Sequence, residues 1–587
     1  MNQLPPLGKS KDKFTPELRI LVASLLSMAV ILLWAKFFGP KPPVNPPQEN
    51  KPAQVSTATP GNAAPTNTPS APPVPAKISA ATTPAVLPTA DSQERIIVVE
   101  NALYRVEFSN RGAVVKSWQL KNYKDDSKPQ KTLDLVHPQA ATETGGWPFA
   151  LVFDDPQLGT LANTGLYKVS SDASSLEAPA DLTFTWSDGR LQVTKKFHFD
   201  HSYTVNVETT VTNNGNHVMA GLGWLGGFGD LTVTNPAPVE TVLTYYSEGG
   251  KITNYPHKKL DGIEKWGPGV WQGGKDFVGI EDRYFTAAFL PANGAAPGTL
   301  ATRYWKSWRN VKVNGQDTAE PVPQVAAAAS TQPMTLRVYV GPKDYDDLKK
   351  MNPPLHGLIN FGWLEFIAEP MFHGLKWLHN YVPNWGWAVV VLTLVINTLF
   401  FPLRISSYKT TVKMQRVAPE IKAIQERYKK YKFNDPKKAE MNKEVMAVYQ
   451  REGINIGGGC LPMLLQMPVW FGLNTALRGA IEMRHAQWLW ITDLSSKDPY
   501  YVLPVLMGLS MYLVSKMTPV TATDPQQQAM MKFMPLSMAA MFVVFPFSSG
   551  LAVYILTSNV VGIVQQWYLN RTHPVVAPAK PVRGKKS

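Results

Sequence analysis

The 587 residues carry 58 Lys and Arg against 44 Asp and Glu, a formal net charge of +14, together with 17 Trp, 24 Phe and 20 Met. So long a chain exceeds a single hydrophobic core and calls for two or more domains, and a lone cysteine, Cys460, excludes any intrachain disulfide, so an exported domain has to be held by core burial alone. The basic excess points to a nucleic acid, a ribosome or an anionic membrane surface as partner.

Residues 1–19 are polar and basic, and Ile20–Phe38 is an apolar run closed by Gly39-Pro40. A cleaved signal peptide competes with an anchor here, but no small-residue cleavage site follows the run. The expectation is an uncleaved anchor at 20–38 with its basic flank in the cytoplasm. Residues 39–91 are Pro, Ala, Thr, Asn and Gln with almost no large apolar side chains, a disordered linker that cannot bury a core.

From 92 to 345 the pattern turns to period-two alternation broken by turn dipeptides, as in LTFTWSDGRLQVTKKFHF from Leu182 with Asp188-Gly189 at the turn. Many short strands without interleaved helices predict an all-β sandwich domain, placed in the periplasm by the anchor before it. His198, Asp200, His201 and Glu208 lie close in sequence, but on alternating strands they point to opposite faces and read as surface or packing residues. GLGWLGGFGD at 221–230 has the composition of a sugar or peptide groove, although tight turn packing explains it as well.

Residues 354–381 are too polar to span a bilayer and too apolar for open solvent, which predicts an amphipathic helix lying flat at the membrane interface; the alternative is a buried helix of the β domain. Residues 386–403 are long and apolar enough to cross a bilayer, yet Thr393 and Asn397 are set into them and Arg404 stands just beyond Pro402. At about 100° per residue these three positions fall within roughly 40° of one another on a helix. Polar groups in lipid cost free energy unless the protein satisfies them, so the shared face predicts the wall of a wet cavity; Pro402 can rotate Arg404 off it.

Residues 404–455 hold 13 Lys or Arg against 6 Asp or Glu, with apolar residues at three-four spacing on either side of Asn434-Asp435-Pro436. That predicts an antiparallel helical hairpin with basic faces. Further spans are expected at 459–479, 501–517, 533–547 and 549–569, separated by a periplasmic loop at 480–500, a cytoplasmic loop at 518–532 and a turn, and followed by a basic tail at 570–587. Net charges of +2 for 1–19, +7 for 404–455, +1 for 516–532 and +5 from Arg571 onward all fall on segments that a six-span arrangement leaves in the cytoplasm. Residues 39–385 would then be periplasmic and both termini cytoplasmic.

FGWL at 361, NWGW at 384, GGGCLPMLLQMPVWFGL at 457, WITDLSSKDPYYVLPVLMG at 490, DPQQQAMMKFMP at 524 and SSGLAVYILTSNVVGIVQQW at 548 resemble the YidC-type membrane protein insertases, in the form found in bacteria with two membranes. The resemblance is dense from about 354 to 570 and architectural before that. It implies a helical membrane core of five helices with an N-terminal signal anchor, and a hydrophilic groove open to cytoplasm and lipid, acting alone or beside the Sec translocon. It implies nascent membrane proteins, the lipid bilayer and a ribosome, held by the basic hairpin and tail, as partners.

The position matching the family's groove arginine is Asn397, an amide that hydrogen-bonds but attracts no acidic segment by charge; Arg404 is the candidate substitute. Further groove candidates are Gln466, Asn474, Ser510, Ser558, Asn559 and Gln565, each with a second reading as hydrogen-bonding glue between helices. Met463, Leu464, Met467, Phe471, Met534, Met538 and Phe542 resemble the family's slide for the hydrophobic helix of the substrate, where flexible Met side chains suit many partners; packing in an ordinary core is the other reading. Nothing resembles a phosphate loop, metal cluster or nucleophile elbow, so neither an enzyme nor a cofactor is expected. The competing function is a small-molecule transporter with a periplasmic ligand-binding domain.

Overall fold

The computed structural model describes residues 87–230, 242–256, 270–313, 316–431, 435–454, 461–518, 541–542 and 547–574. The expected anchor, nearly all of the linker, most of the expected fifth span and most of the basic tail lie outside the described residues.

The alternation read from sequence builds three sheets. The largest is antiparallel and passes in neighbour order through Lys251–Pro256, Leu243–Glu248, Phe277–Glu281, Phe285–Pro291, Met334–Pro342, Thr204–Asn213, Leu191–Phe199, Ala180–Ser187 and Lys168–Val169. Of the two five-stranded sheets, one centres on Val114–Lys124, Tyr104–Ser109 and Ile96–Glu100. The other centres on the long hairpin Leu300–Val313 and Gln316–Ala329. Their inner faces meet in an aromatic core: Phe108 lies 4.9 Å from Phe197 and 5.8 Å from Phe184, and Trp118 stacks on Phe149 at 6.0 Å. The Asp188-Gly189 turn forms as read, with Asp188 Oδ1 accepting from Arg190 N and Leu191 N and Gly189 at φ +96°.

One inward position in the strand Leu191–Phe199 is a lysine. Lys195 is fully buried, and its Nζ donates to the carbonyls of Gly112 at 2.8 Å, Ala113 at 3.1 Å and Phe149 at 2.8 Å. All three acceptors have left-handed backbone, with φ +74°, +48° and +66°. Burial pushes the Lys195 amine down to about 7, but three carbonyls match the three protons of an ammonium group. A lysine at a core position is thus satisfied by backbone alone.

Against the expected run of strands without helices, two short helices, Pro138–Thr144 and Pro156–Thr164, interrupt the β domain, each with a proline at its start; after the domain the chain becomes predominantly helical. Helix α1 (Glu365–His379) is shorter than the amphipathic segment expected at 354–381. Asn360 Oδ1 accepts from Gly362 N, and Gly362 at φ +70° opens the second of the two short 3-10 turns, His356–Leu358 and Gly362–Leu364, that precede the helix proper. Helix α2 (Trp385–Arg427) runs unbroken for 43 residues through Pro402 and Pro419, roughly 65 Å at 1.5 Å per residue. It is followed by α3 (Pro436–Arg451), α4 (Leu461–Gly479), α5 (Val502–Met517) and α6 (Ser549–Thr572).

The hairpin tip, residues 420–448, is a compact unit of its own, in which Glu444 joins the two arms by accepting from Arg427 Nη2 at 2.8 Å and Tyr428 Oη at 2.7 Å. Among the described residues α2 is the helix long and apolar enough to cross a membrane, and α5 is apolar but shorter.

Candidate functional site

The polar residues of the helical region converge on α6. Because α2 stays helical through Pro402, Arg404 keeps the face it shares with Asn397, and both meet α6. Asn397 Nδ2 donates to Ser558 Oγ at 2.9 Å and to Thr393 O at 2.9 Å. Gln565 then links the two α2 residues: its Nε2 donates to Asn397 O at 3.2 Å, and its Oε1 accepts from Arg404 Nη1 at 2.9 Å. Arg404 Nη2 also reaches Gly562 O at 3.4 Å. A Cβ at 562 would stand 3.2 Å from both terminal guanidinium nitrogens, so a larger residue there would push the Arg404 head group aside by a few tenths of an ångström.

Two further bonds tie α6 to the other helices. Gln466 Nε2 on α4 donates to Tyr554 Oη at 2.6 Å, and Asn559 Nδ2 donates to Ser510 Oγ on α5 at 3.0 Å. Ser510 is buried and donates in turn to Met507 O at 2.8 Å. One helix thus presents polar groups toward three neighbours. Amides and hydroxyls that both donate and accept, with a single guanidinium in the row, can exchange partners with water or a polar chain segment.

The remaining sequence candidates fall differently. Thr393 is fully buried and donates back to Val389 O at 2.6 Å, so its hydroxyl is satisfied by its own helix. Asn474 is half-buried on α4, outside the row that links Asn397 to Arg404. Met467 and Phe471 share an exposed face of α4, whereas Phe542 is buried and packs edge-on to Phe547 at 5.1 Å. Met534 and Met538, and the side chains of Met463 and Leu464, lie outside the described residues.

Sequence reasoning missed Tyr554, Gln566 and Asn570, which with Ser558 and Gly562 recur every fourth residue along α6. Gln566 and Asn570 donate to Met517 O at the end of α5, at 3.5 and 3.1 Å, and Asn570 Oδ1 accepts from Tyr408 Oη on α2 at 2.8 Å. The four-residue spacing was the available signal. It was obscured because tyrosine passes as apolar in a hydrophobic run.

Residues 96–374 match the family model described as YidC periplasmic domain, and residues 377–576 match that described as 60Kd inner membrane protein. The membrane protein insertase YidC of Syntrophus aciditrophicus is 34% identical over 576 residues, covering 94% of this chain and 99% of that protein. That of Wolinella succinogenes is 33% identical over 582 residues, covering 97% and 98%. A solved active YidC insertase is 16% identical, with a TM-score of 0.34 over 83% of this chain and 95% of that one.

Proposed function

Since the chain belongs to the YidC family of membrane protein insertases, we propose that it inserts and helps to fold newly made inner-membrane proteins by receiving their polar segments along the face of α6 that meets α2. The observation that carries this reading is the row Asn397, Ser558, Gln565 and Arg404. It is a run of side-chain hydrogen bonds inside a helix bundle whose outer surfaces, at Leu399, Val505 and Val564, are exposed and apolar.

Transfer of an apolar helix from water to lipid is downhill at roughly 25 cal/mol per Å² buried. The obstacle is its polar flank, which loses water on the way. Side chains bonded to one another can trade those bonds for bonds to a passing peptide, which lowers that barrier without a cofactor.

In this reading the chain spans the membrane six times with both termini inside, and α1 lies at the outer interface. The exposed face of Met467 and Phe471 guides the hydrophobic part of the client. The basic hairpin and tail hold a ribosome or an incoming chain, beside the Sec translocon or without it. The departure at Asn397 leaves Arg404 as the cation of the row, so the charge that greets acidic flanks sits seven residues further along α2.

The test begins with depletion in the host and the protease accessibility of a two-span client with a short translocated loop, which should stay on the inner side once the chain is gone. Complementation with Asn397→Leu, which keeps the volume and removes both ends of the amide's bonding, should recover about one-tenth of the insertion seen with the unaltered chain. Full recovery would reduce Asn397 to helix packing, and normal insertion after depletion would favour the transporter.

A further inference from the structure

Asn397 and Arg404 describe the middle of the row, but the end of the bundle that carries residues 385, 502 and 549 is organised by a different segment. Residues 480–501 join α4 to α5 and also meet the starts of α2 and α6 at that end. Asn384 Nδ2 donates to Gln487 O at 2.9 Å before α2 begins. Trp488 lies so close to Gly386 that a Cβ there would be 2.2 Å from the ring. Asp498 accepts from Tyr500 N and from Leu503 N at 3.0 and 2.7 Å, capping α5. Ser549 N and Gly550 N donate to Ser496 O and Leu494 O at 2.7 and 2.8 Å, so loop carbonyls take two of the first free N–H groups of α6.

The same loop is held from its other side by the β domain. Arg484 is 5% exposed at its side chain, and its Nη2 lies 2.7 Å from Asp230 Oδ2 and 3.6 Å from Asp126 Oδ1. Its guanidinium lies 5.5 Å from the centre of the Phe285 ring. His485 Nε2 adds a contact of 2.8 Å to Asp126 Oδ1. Asp230 is delivered by the glycine-rich stretch 221–230, where Gly226, Gly227 and Gly229 stand at φ +80°, +91° and +100° and Gly229 O meets His137 Nε2 at 2.8 Å.

Two more ties flank this socket. Arg283 Nε donates to Arg478 O at 2.9 Å, at the end of α4. Lys376 on α1 reaches Asp346 at 2.7 Å and Glu482 at 3.2 Å.

We propose that Arg484 is a positioning residue: through it the β domain fixes the loop 480–501, and the loop fixes the spacing of α2, α5 and α6 so that the polar row is closed on its outer side. The proposal rests on the groove reading given above. A buried arginine paired to two carboxylates holds its place strongly because removal of either side strands the other charge. The glycine-rich stretch, which in sequence suggested a ligand groove, then serves to present Asp230.

Two readouts on the full chain in proteoliposomes, with Cys460→Ser throughout, test this without any client. In the first, Gln130→Cys with His485→Cys, at positions whose side-chain tips meet at 3.4 Å, reports docking through the rate of joining by a short bifunctional thiol cross-linker. In the second, Ser558→Cys reports closure through labelling by a membrane-impermeant maleimide from the outer side. Arg484→Ala should slow the cross-linking at least tenfold and raise the labelling at least fivefold. Exchanging the charges, Asp230→Arg with Arg484→Asp, should restore both, although Asp230→Arg alone should behave like Arg484→Ala. Should Arg484→Ala fail to accumulate, Arg484→Lys, which keeps the charge and loses the fork, should shift both readouts about threefold.

Unchanged labelling, with or without loss of the cross-link, overturns the proposal. Because neither readout involves insertion, that outcome is separate from the Asn397→Leu result that decides the groove.

Discussion

Lys195 in the β domain and Arg404 in the helical region are both cations set among apolar neighbours, and they are satisfied in opposite ways. Lys195 is enclosed and bonded to three backbone carbonyls that cannot leave. Arg404 is half-buried and held by one side-chain amide at 2.9 Å and one carbonyl at 3.4 Å. Backbone acceptors in a sealed core fix a fold, whereas side-chain acceptors in an open bundle can be exchanged for a passing ligand. The difference teaches where to look for function: among polar groups whose partners are replaceable.

The sealed side of the comparison makes the larger prediction. Lys195→Met keeps most of the volume but strands three turned carbonyls, so the β domain should lose about 3–5 kcal/mol. The check is urea-dependent proteolysis of the domain within the full chain. A loss under about 1 kcal/mol would show that the three left-handed residues hold themselves and that Lys195 is not the clasp.

His137 sharpens the same side through pH. Burial pulls its imidazole down to about 4 from 6.5, so the folded domain keeps it neutral, with Nε2–H donating to Gly229 O. Between those values the unfolded chain binds more protons than the folded one, and stability falls as pH falls. The contribution is fully present above pH 6.5, is lost as pH drops toward 4, and amounts to at most about 3 kcal/mol at 1.36 kcal/mol per unit. Asp125 and Asp188, whose carboxyls are held below 3.8 by backbone N–H groups against the opposing pull of burial, lose their contribution only under pH 4. Subtracting the profile of His137→Gln from that of the unaltered chain isolates the imidazole; a flat difference between pH 6.5 and 4 would remove it as the acid-sensitive group.

Much of this was legible in the sequence, for reasons that differ by region. Alternation from Leu191 to Phe199 marks which side chains face inward, Lys195 included, and the Asp188-Gly189 turn is written in two adjacent residues. The three carbonyls that accept from Lys195 come from residues 112, 113 and 149 and are carried by left-handed backbone, which no local pattern announces. Angular spacing put Asn397 and Arg404 on one face, and the helix keeps them there because Pro402 is accommodated without a break. Their partners are on α6, some 160 residues away, and Asp230 and Arg484 are 254 residues apart. Local periodicity reads faces well and says nothing about which faces meet.

The open side of the comparison makes the smaller and more selective prediction. If Arg404 attracts acidic client segments, Arg404→Ala should reduce insertion of a client with two acidic residues in its translocated loop about fivefold, close to 1 kcal/mol. A neutral-loop version of the same client should change less than twofold, since Gln565 and Ser558 still offer hydrogen bonds. Arg404→Lys separates charge from shape. A lysine restores the acidic client if charge alone matters, but not if the fork that spans Gln565 Oε1 and Gly562 O is what holds the guanidinium at the row. Equal losses for both clients would mean that Arg404 is a second Lys195, a cation that serves packing, and the contrast between sealed and exchangeable partners would then fail at the residue on which it was built.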